Sequence, residues 1–181
     1  MKLIGPFTQI LTMRNLPMKG TIKDEQLELI ENGGIIVENG FIRQVGNYKQ
    51  LREQNPAIEL EEINTEQVVL PGFVDSHTHI CYGGNRAKDF AMRLNGKTYL
   101  EIAESGGGIW STVTQTRSKS PDELKDITLH HIDKLIAQGI TTAEVKSGYA
   151  LSVEGEKNML QAIGMAKQET PIELSLIHIS E

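Results

Sequence analysis

Residues 68–84 read VVLPGFVDSHTHICYGG, an apolar run that ends in alternating polar side chains. Asp75, His77 and His79 occupy every second position. On a β-strand, every second side chain points to the same face, with about 6.6 Å of rise between neighbours. Two imidazoles at that spacing can converge on one metal ion when the end of the strand is twisted or splayed. The stretch therefore predicts a buried strand with a candidate metal site at its end.

A bare His-x-His pattern has a second interpretation. Two histidines on a strand also arise as structural residues that are hydrogen-bonded to the backbone, and the two interpretations are about equally common for the isolated pattern. The flanking PGFVD segment favours the metal site. In a parallel βα fold, chemistry gathers at the carboxyl ends of the strands, and the histidine pair lies there, just before a Gly83-Gly84 turn that we expect to be flexible.

The first part of the chain predicts a small β domain over residues 1–69. Residues 33–46 read GGIIVENGFIRQVG and place Asn39-Gly40 between two apolar runs, which is a strong signal for a two-residue hairpin turn. A short helix over residues 48–54 and a strand ending near Ile63 complete this domain. We expect it to be part of a β-sandwich.

The rest of the chain, residues 70–181, predicts alternating strands and helices, which is typical of parallel βα units. Two helices open on capping boxes: Thr98 with Glu101, and Ser120 with Glu123. The second helix ends before Gly139. The segments that follow predict a strand over ITTAEVKSGY, a helix over residues 154–167 and a last strand beginning at Ile172. The predicted fold class is therefore α/β.

Composition excludes several classes of protein. With 39% hydrophobic and 23% charged residues in 181, the chain is expected to fold around a packed core. A net charge of −6 argues against a nucleic-acid partner. No apolar run approaches the ~18 residues of a membrane span, so we expect no membrane partner. Cys81 is the single cysteine, which favours a reducing, cytoplasmic location.

The segment PGFVDSHTH resembles the first barrel strand of the amidohydrolase superfamily, whose members hydrolyse cyclic amides or deaminate bases with one or two metal ions. The further segments GGNRAKDF, GGGIWSTVTQTR and TTAEVKSGY are similar to the imidazolonepropionase family of histidine degradation. The resemblance runs from about residue 3 to about residue 174. It implies a metal-dependent (β/α)8 TIM barrel preceded by a small β-sandwich-like domain, with the barrel incomplete in this chain.

The resemblance also implies a site. It assigns His77 and His79 to one divalent ion, zinc or iron, and places a further histidine and an aspartate on later strands that this chain lacks. Arg86 and Tyr149 match substrate-binding residues for 4-imidazolone-5-propanoate, and the full-length protein is expected to be a homodimer. Asp75 either orients a histidine or packs at the strand end. No catalytic acid or base is assigned within the chain.

Other reactive side chains are expected to be structural. Lys146 receives no metal role, and Cys81 is expected to be an inert, partly buried thiol. His130 and His131 point about 100° apart on a helix, so joint chelation is not expected. The glycine triplet at residues 106–108 fits either a turn or an anion-binding loop at a helix start.

The C-terminal segment departs from the family. LIHISE stands where the family strand continues differently, and His178 is therefore given no substrate-binding role. Three of about eight barrel strands are present, so we expect the polypeptide to be inactive by itself. Two alternatives stay open: another cyclic amidohydrolase or a deaminase of the same superfamily, and a non-catalytic fragment.

Overall fold

A computed structural model describes residues 1–177 and divides the chain into two compact units. The first comprises Met1–Pro71 and the second begins at Gly72. His178 lies outside the described residues. Within the described part of the chain, no helix is long and apolar enough to cross a membrane.

The first unit contains one five-stranded sheet. Its elements, in chain order, are β1 (Lys2–Leu11), a 3₁₀ turn (Asp24–Gln26), β2 (Leu29–Glu38), β3 (Phe41–Asn47), α1 (Tyr48–Gln54), β4 (Glu59–Glu62) and β5 (Val68–Val69). β1 pairs antiparallel with β2 and parallel with both β4 and β5. Residues 1–71 hold no second facing sheet, so the sandwich-like domain stays a prediction.

The predicted hairpin turn at Asn39-Gly40 is confirmed. β2 and β3 pair antiparallel with Glu38 opposite Phe41, and both turn residues have positive φ, 52° and 79°. That backbone matches a type I′ turn, whose twist suits two neighbouring strands. The predicted helix over residues 48–54 is also confirmed and contributes Tyr48 and Leu51 to the small core of this unit.

The second unit is built on a three-stranded parallel sheet, in the order β6-β7-β8. Its elements are β6 (Phe73–Thr78), α2 (Ala87–Leu94), α3 (Tyr99–Glu104), α4 (Gly108–Arg117), α5 (Pro121–Ala137), β7 (Ile140–Lys146), α6 (Val153–Glu169) and β8 (Glu173–Ile177). Strands and helices alternate as predicted. The sequence pattern did not identify α2, which has no buried residue to mark an apolar face.

The core of the second unit lies between the sheet and helices α5 and α6. Ala143 and Val145 of β7 are fully buried against apolar residues such as Ile132, Met159 and Ile163. Side chains alternate along a strand, so Glu144 and Lys146 point to the opposite face. This packing fixes the direction of β7 and the place at which it ends.

The capping box at the start of α5 is confirmed. The Ser120 side chain accepts a hydrogen bond from the Glu123 amide at 3.2 Å, and the Glu123 carboxylate accepts one from the Ser120 amide at 2.9 Å. The box satisfies two backbone donors that have no partner inside the helix. It therefore defines where α5 begins, at Pro121.

We expect Ser120→Ala to lower the free energy of unfolding by about 1 kcal/mol, because the Glu123 amide loses its acceptor. Ser120→Asp keeps an oxygen acceptor and should stay close to the original stability. Urea unfolding followed by circular dichroism measures both values. An equal loss in the two variants would contradict the role given to the cap.

Candidate active site

His77 and His79 lie at the end of β6, and their rings are brought together. The ring centroids are 5.3 Å apart and the planes meet at 61°. His77 lies within the strand, whereas His79 follows its last residue, Thr78. His77 is exposed and His79 is half-buried. The structure therefore pairs the two predicted side chains at a strand end that is open on the His77 side.

The regular alternation expected from Asp75 to His79 is interrupted. The pairing of β6 with β7 shifts register between Asp75 and Thr78. The Asp75 carboxylate accepts a hydrogen bond from the backbone amide of His77 at 3.2 Å. Asp75 therefore bonds to the backbone at the strand end, and the placement of all three side chains on one face stays a prediction.

The ring of His79 sits in a partly desolvated position. Its Nδ1 is buried and has no hydrogen-bond partner in the described chain. Burial lowers the pKa of His79 below its usual range, and the charges of His77 and Lys146 act in the same direction. Loss of the proton leaves a neutral imidazole, which is the form that binds a metal ion.

Tyr149 lies beside this pair. Its ring centroid is 5.6 Å from that of His79, at an edge-to-face angle of 61°. Gly148 packs against the His79 ring, and its φ of +140° is a backbone conformation that suits glycine. The structure thus brings three of the four predicted site residues together: His77, His79 and Tyr149.

Arg86 is held by neighbouring helices. Its Nε donates to Thr112 Oγ1 at 2.9 Å, and its Nη1 donates to Asp89 Oδ2 at 3.2 Å. Asp89 also accepts from the amide of Gly108, the first residue of α4, at 2.8 Å. Within residues 1–177 the hydrogen bonds of Arg86 go to α2 and α4 and not to the histidine pair. A guanidinium has five N–H groups, so donors remain for a ligand.

The Gly83-Gly84 turn is anchored to α4, contrary to the expectation that it is flexible. The Gly83 amide donates to the buried hydroxyl of Thr116 at 3.0 Å. A Cβ at Gly83 would lie 2.6 Å from the backbone oxygen of Gln115, so only glycine allows the turn to approach the helix. The turn thereby fixes the start of the segment that carries Arg86.

Sequence analysis missed an aromatic contact next to the site. Tyr82 stacks on His131 with centroids 5.0 Å apart, and it also meets Tyr149 edge-on at 5.8 Å. His131 Nδ1 lies 2.7 Å from the carbonyl oxygen of Ile80, so that nitrogen carries the proton and donates. Tyr82 lies only three residues after the His-Thr-His segment at residues 77–79, and that closeness in sequence could have pointed to it. Its partner His131 on α5 could not be found from the local sequence pattern.

The side chains that sequence analysis left out of the metal site are engaged elsewhere. Lys146 pairs with Glu144 at 2.5 Å. Cys81 is fully buried, and desolvation raises the pKa of its thiol to about 11, which makes it unreactive as a thiolate. At the glycine triplet, the amide of Gly108 donates a hydrogen bond to the Asp89 carboxylate.

The donor set at His77 and His79 fits part of a metal site. Tetrahedral coordination by two imidazoles at about 2.1 Å places their centroids roughly 5 Å apart, close to the observed spacing. Among residues 1–177, no group of three or more histidine, cysteine or acidic side chains is arranged to hold a metal ion. The described chain therefore offers a pair of ligands, whereas catalytic zinc sites use three protein ligands and an open position.

The amidohydrolase family profile matches residues 68–171, which include β6, β7 and every candidate site residue. The chain therefore belongs to the amidohydrolase family.

Among curated relatives, imidazolonepropionases from Geobacillus sp. and Fusobacterium nucleatum are 37% and 40% identical over 172 and 168 residues. Each alignment covers 92% of this chain but only 41% and 40% of the relative. An imidazolonepropionase from Bacillus cereus is 41% identical over 150 residues, which is 82% of this chain and 34% of the relative. The chain thus spans 34–41% of the length of these relatives.

Solved structures show the same fold at low identity. Atrazine chlorohydrolase from Arthrobacter aurescens TC1, complexed with zinc, superposes with a TM-score of 0.67 at 17% identity and covers 98% of this chain and 35% of its own. Guanine deaminase from E. coli gives a TM-score of 0.62 at 18% identity and covers 98% and 36%. These similarities establish the mixed α/β fold of the family.

We expect Gly83→Ala to destabilise the second unit by about 1–3 kcal/mol, because the added methyl group meets the immobile backbone of α4. Gly164→Ala is a matched control on α6, where a Cβ meets nothing within 4 Å. The control should raise stability by about 0.5–1 kcal/mol through its helix propensity. Thermal and urea unfolding measure the difference, and equal stabilities would contradict the close packing of the turn.

Proposed function

We propose that the chain forms part of an imidazolonepropionase, which hydrolyses the ring amide of 4-imidazolone-5-propanoate to N-formimidoyl-L-glutamate. In this reaction, water cleaves the ring bond between the carbonyl carbon and nitrogen: that C–N bond breaks, the carbonyl carbon gains the hydroxyl group and the nitrogen gains the proton. The observation that supports this proposal most directly is the pair of imidazoles with centroids 5.3 Å apart at the carboxyl end of β6. The similarity to imidazolonepropionases supplies the substrate class.

His77 and His79 would hold one zinc or iron ion. Such an ion, when bound, polarises a carbonyl group and lowers the pKa of water toward neutrality. The contribution of this chain is to present the two nitrogens. The pKa of His79 is lowered, mainly by burial of its ring, which favours the neutral imidazole that can bind a metal ion. The remaining ligands are proposed to come from sequence that corresponds to the rest of the relatives.

Arg86 and Tyr149 are proposed to bind the substrate. The planar guanidinium of Arg86 matches the geometry of a carboxylate such as the propionate group, and Thr112 and Asp89 hold it in one orientation. Tyr149 stands beside His79 and presents a hydroxyl that can hydrogen-bond a polar ring. The two residues would orient the ring toward the histidine pair.

The sheet β6-β7-β8 is proposed to be the first part of a (β/α)8 barrel. The three strands are parallel and adjacent in chain order, as in a barrel wall. Phe73 and Val74 of the edge strand β6 are 54% and 67% exposed, which fits a strand that a further neighbour would cover. By this proposal, the polypeptide alone, with two ligands and an open sheet, is inactive. The homodimer, the cytoplasmic location and a β-sandwich over residues 1–69 stay predictions.

A second candidate function is another cyclic amidohydrolase or a deaminase, because the chain shares its fold with the guanine deaminase and the atrazine chlorohydrolase. A substrate panel on the full-length protein separates the two. Turnover of 4-imidazolone-5-propanoate with no deamination of purines or triazines would support the first proposal. The reverse pattern would replace it.

We expect His77→Ala and His79→Ala to remove zinc or iron from the full-length protein and to reduce hydrolysis at least about 100-fold, because each deletes a proposed ligand. His130→Ala is the control, since this exposed histidine lies on α5 outside the pair. Elemental analysis gives the metal stoichiometry and an absorbance assay gives the rate. Retention of stoichiometric metal by both variants would overturn the assignment.

We expect Arg86→Lys to raise KM about tenfold with little change in kcat, because an ammonium cannot reproduce the bidentate fork on a carboxylate. Arg93→Lys on the exposed end of α2 makes the same chemical change away from the site and should have no effect. Steady-state kinetics on the full-length protein measures both. A substrate analogue without the carboxylate should be insensitive to Arg86→Lys, and equal sensitivity would contradict carboxylate binding.

A further inference from the structure

The loop between β7 and α6, residues 147–152, is held in a strained backbone conformation. Gly148 has a φ of +140° and Leu151 has a φ of 49°. A left-handed conformation is unfavourable for a leucine, so it persists only where surrounding contacts stabilise it. The loop carries Tyr149, whose ring lies against His79 and Tyr82. The contacts that hold the loop therefore also bear on the position of Tyr149.

Glu156 binds this loop from one side. Its Oε1 accepts hydrogen bonds from the amides of Ala150 and Leu151, at 2.8 and 2.9 Å. The residue is only 8% exposed, and its second oxygen, Oε2, is buried without a hydrogen-bond partner in the described chain. Burying a carboxylate in this way is costly. The two charge-assisted hydrogen bonds that Glu156 Oε1 accepts from consecutive amides offset part of that cost and fix the backbone of the loop.

Arg117, the last residue of α4, binds the same two residues through their carbonyl oxygens. Its Nε donates to the oxygen of Ala150 at 2.5 Å, and its Nη2 donates to that of Leu151 at 2.8 Å. The guanidinium carbon lies 5.6 Å from the ring centroid of Trp110, which orients it further. The Glu156 carboxylate thus accepts hydrogen bonds from the amides of Ala150 and Leu151, and the Arg117 guanidinium donates hydrogen bonds to their carbonyl oxygens.

We propose that Glu156 and Arg117 are positioning residues that set the place of Tyr149 in the substrate site. The proposal rests on the assignment of Tyr149 to substrate binding. Tyr149 is preceded by Gly148, which allows many backbone conformations. It is followed by Ala150 and Leu151, whose backbone is fixed by four hydrogen bonds from Glu156 and Arg117. Loss of the hydrogen bonds from either Glu156 or Arg117 frees the backbone that orients the Tyr149 ring. Neither residue contacts the reacting atoms.

A double-mutant cycle on the full-length protein tests the proposal. Glu156→Ala should raise KM about tenfold with kcat within about twofold, and should add no further increase in a Tyr149→Ala background. Glu156→Gln keeps an oxygen acceptor and should recover most of the affinity. Glu154→Ala, an exposed acid on the same helix, is the matched control and should leave KM unchanged.

Arg117→Lys and Arg117→Met test the same proposal independently, and they can be measured even if Glu156→Ala does not fold. Both should raise KM through Tyr149, with the larger effect for methionine because it donates no hydrogen bond. Equal effects of Glu156 or Arg117 variants in the Tyr149 and Tyr149→Ala backgrounds would overturn the proposal. A fall in kcat with unchanged KM would overturn it as well.

A readout that needs no substrate separates this proposal from the proposed function. In metal-free protein, Glu156→Ala and Arg117→Met should accelerate amide exchange at Ala150 and Leu151, and Arg117→Met should shift the NMR signals of the His79 ring, which senses the Tyr149 ring current. Absence of imidazolone turnover by the unmodified protein would refute the function alone. Unchanged exchange and unchanged His79 signals would refute the positioning role.

Discussion

Burial of one face of the parallel sheet against α5 and α6 is the constraint on which the second unit depends. Ala143 and Val145 point into that core, and Met159 and Ile163 of α6 cover them. Alternation along β7 then directs Glu144 and Lys146 to the other face. Because this burial fixes where the strands run and end, it also fixes the region in which His79 and Tyr149 meet.

Helix α4 organises the loops that leave these strand ends. Thr116 accepts the amide of Gly83, Thr112 accepts Nε of Arg86, and Arg117 donates to the loop after β7. Both threonine side chains are buried, and each is satisfied by a hydrogen bond. A single short helix therefore ties the turn with its glycines, the proposed carboxylate-binding arginine and the loop of Tyr149 to one rigid support.

The electrostatics of the site follow from the same packing. His79 is partly withdrawn from water beside His77, and its pKa is lowered mainly by that burial. Cys81, only two residues further along the chain, is fully buried and its pKa is raised for the same reason. Desolvation thus favours the neutral form of both side chains. A neutral imidazole is ready to bind a metal ion, whereas a neutral thiol is a poor ligand.

The sequence by itself determined the local features: the Asn39-Gly40 hairpin, the start of α5 at Ser120, and the pair His77 and His79 at a strand end. These depend on contacts between residues a few positions apart, which leave a readable pattern. Only the tertiary structure decided the stacking of Tyr82 on His131 and the hydrogen bonds of Arg117 to the loop after β7. Those contacts join residues 33 or more positions apart. Such partners are brought together by the packing of helices on the sheet, so no periodicity or spacing in the sequence predicts them.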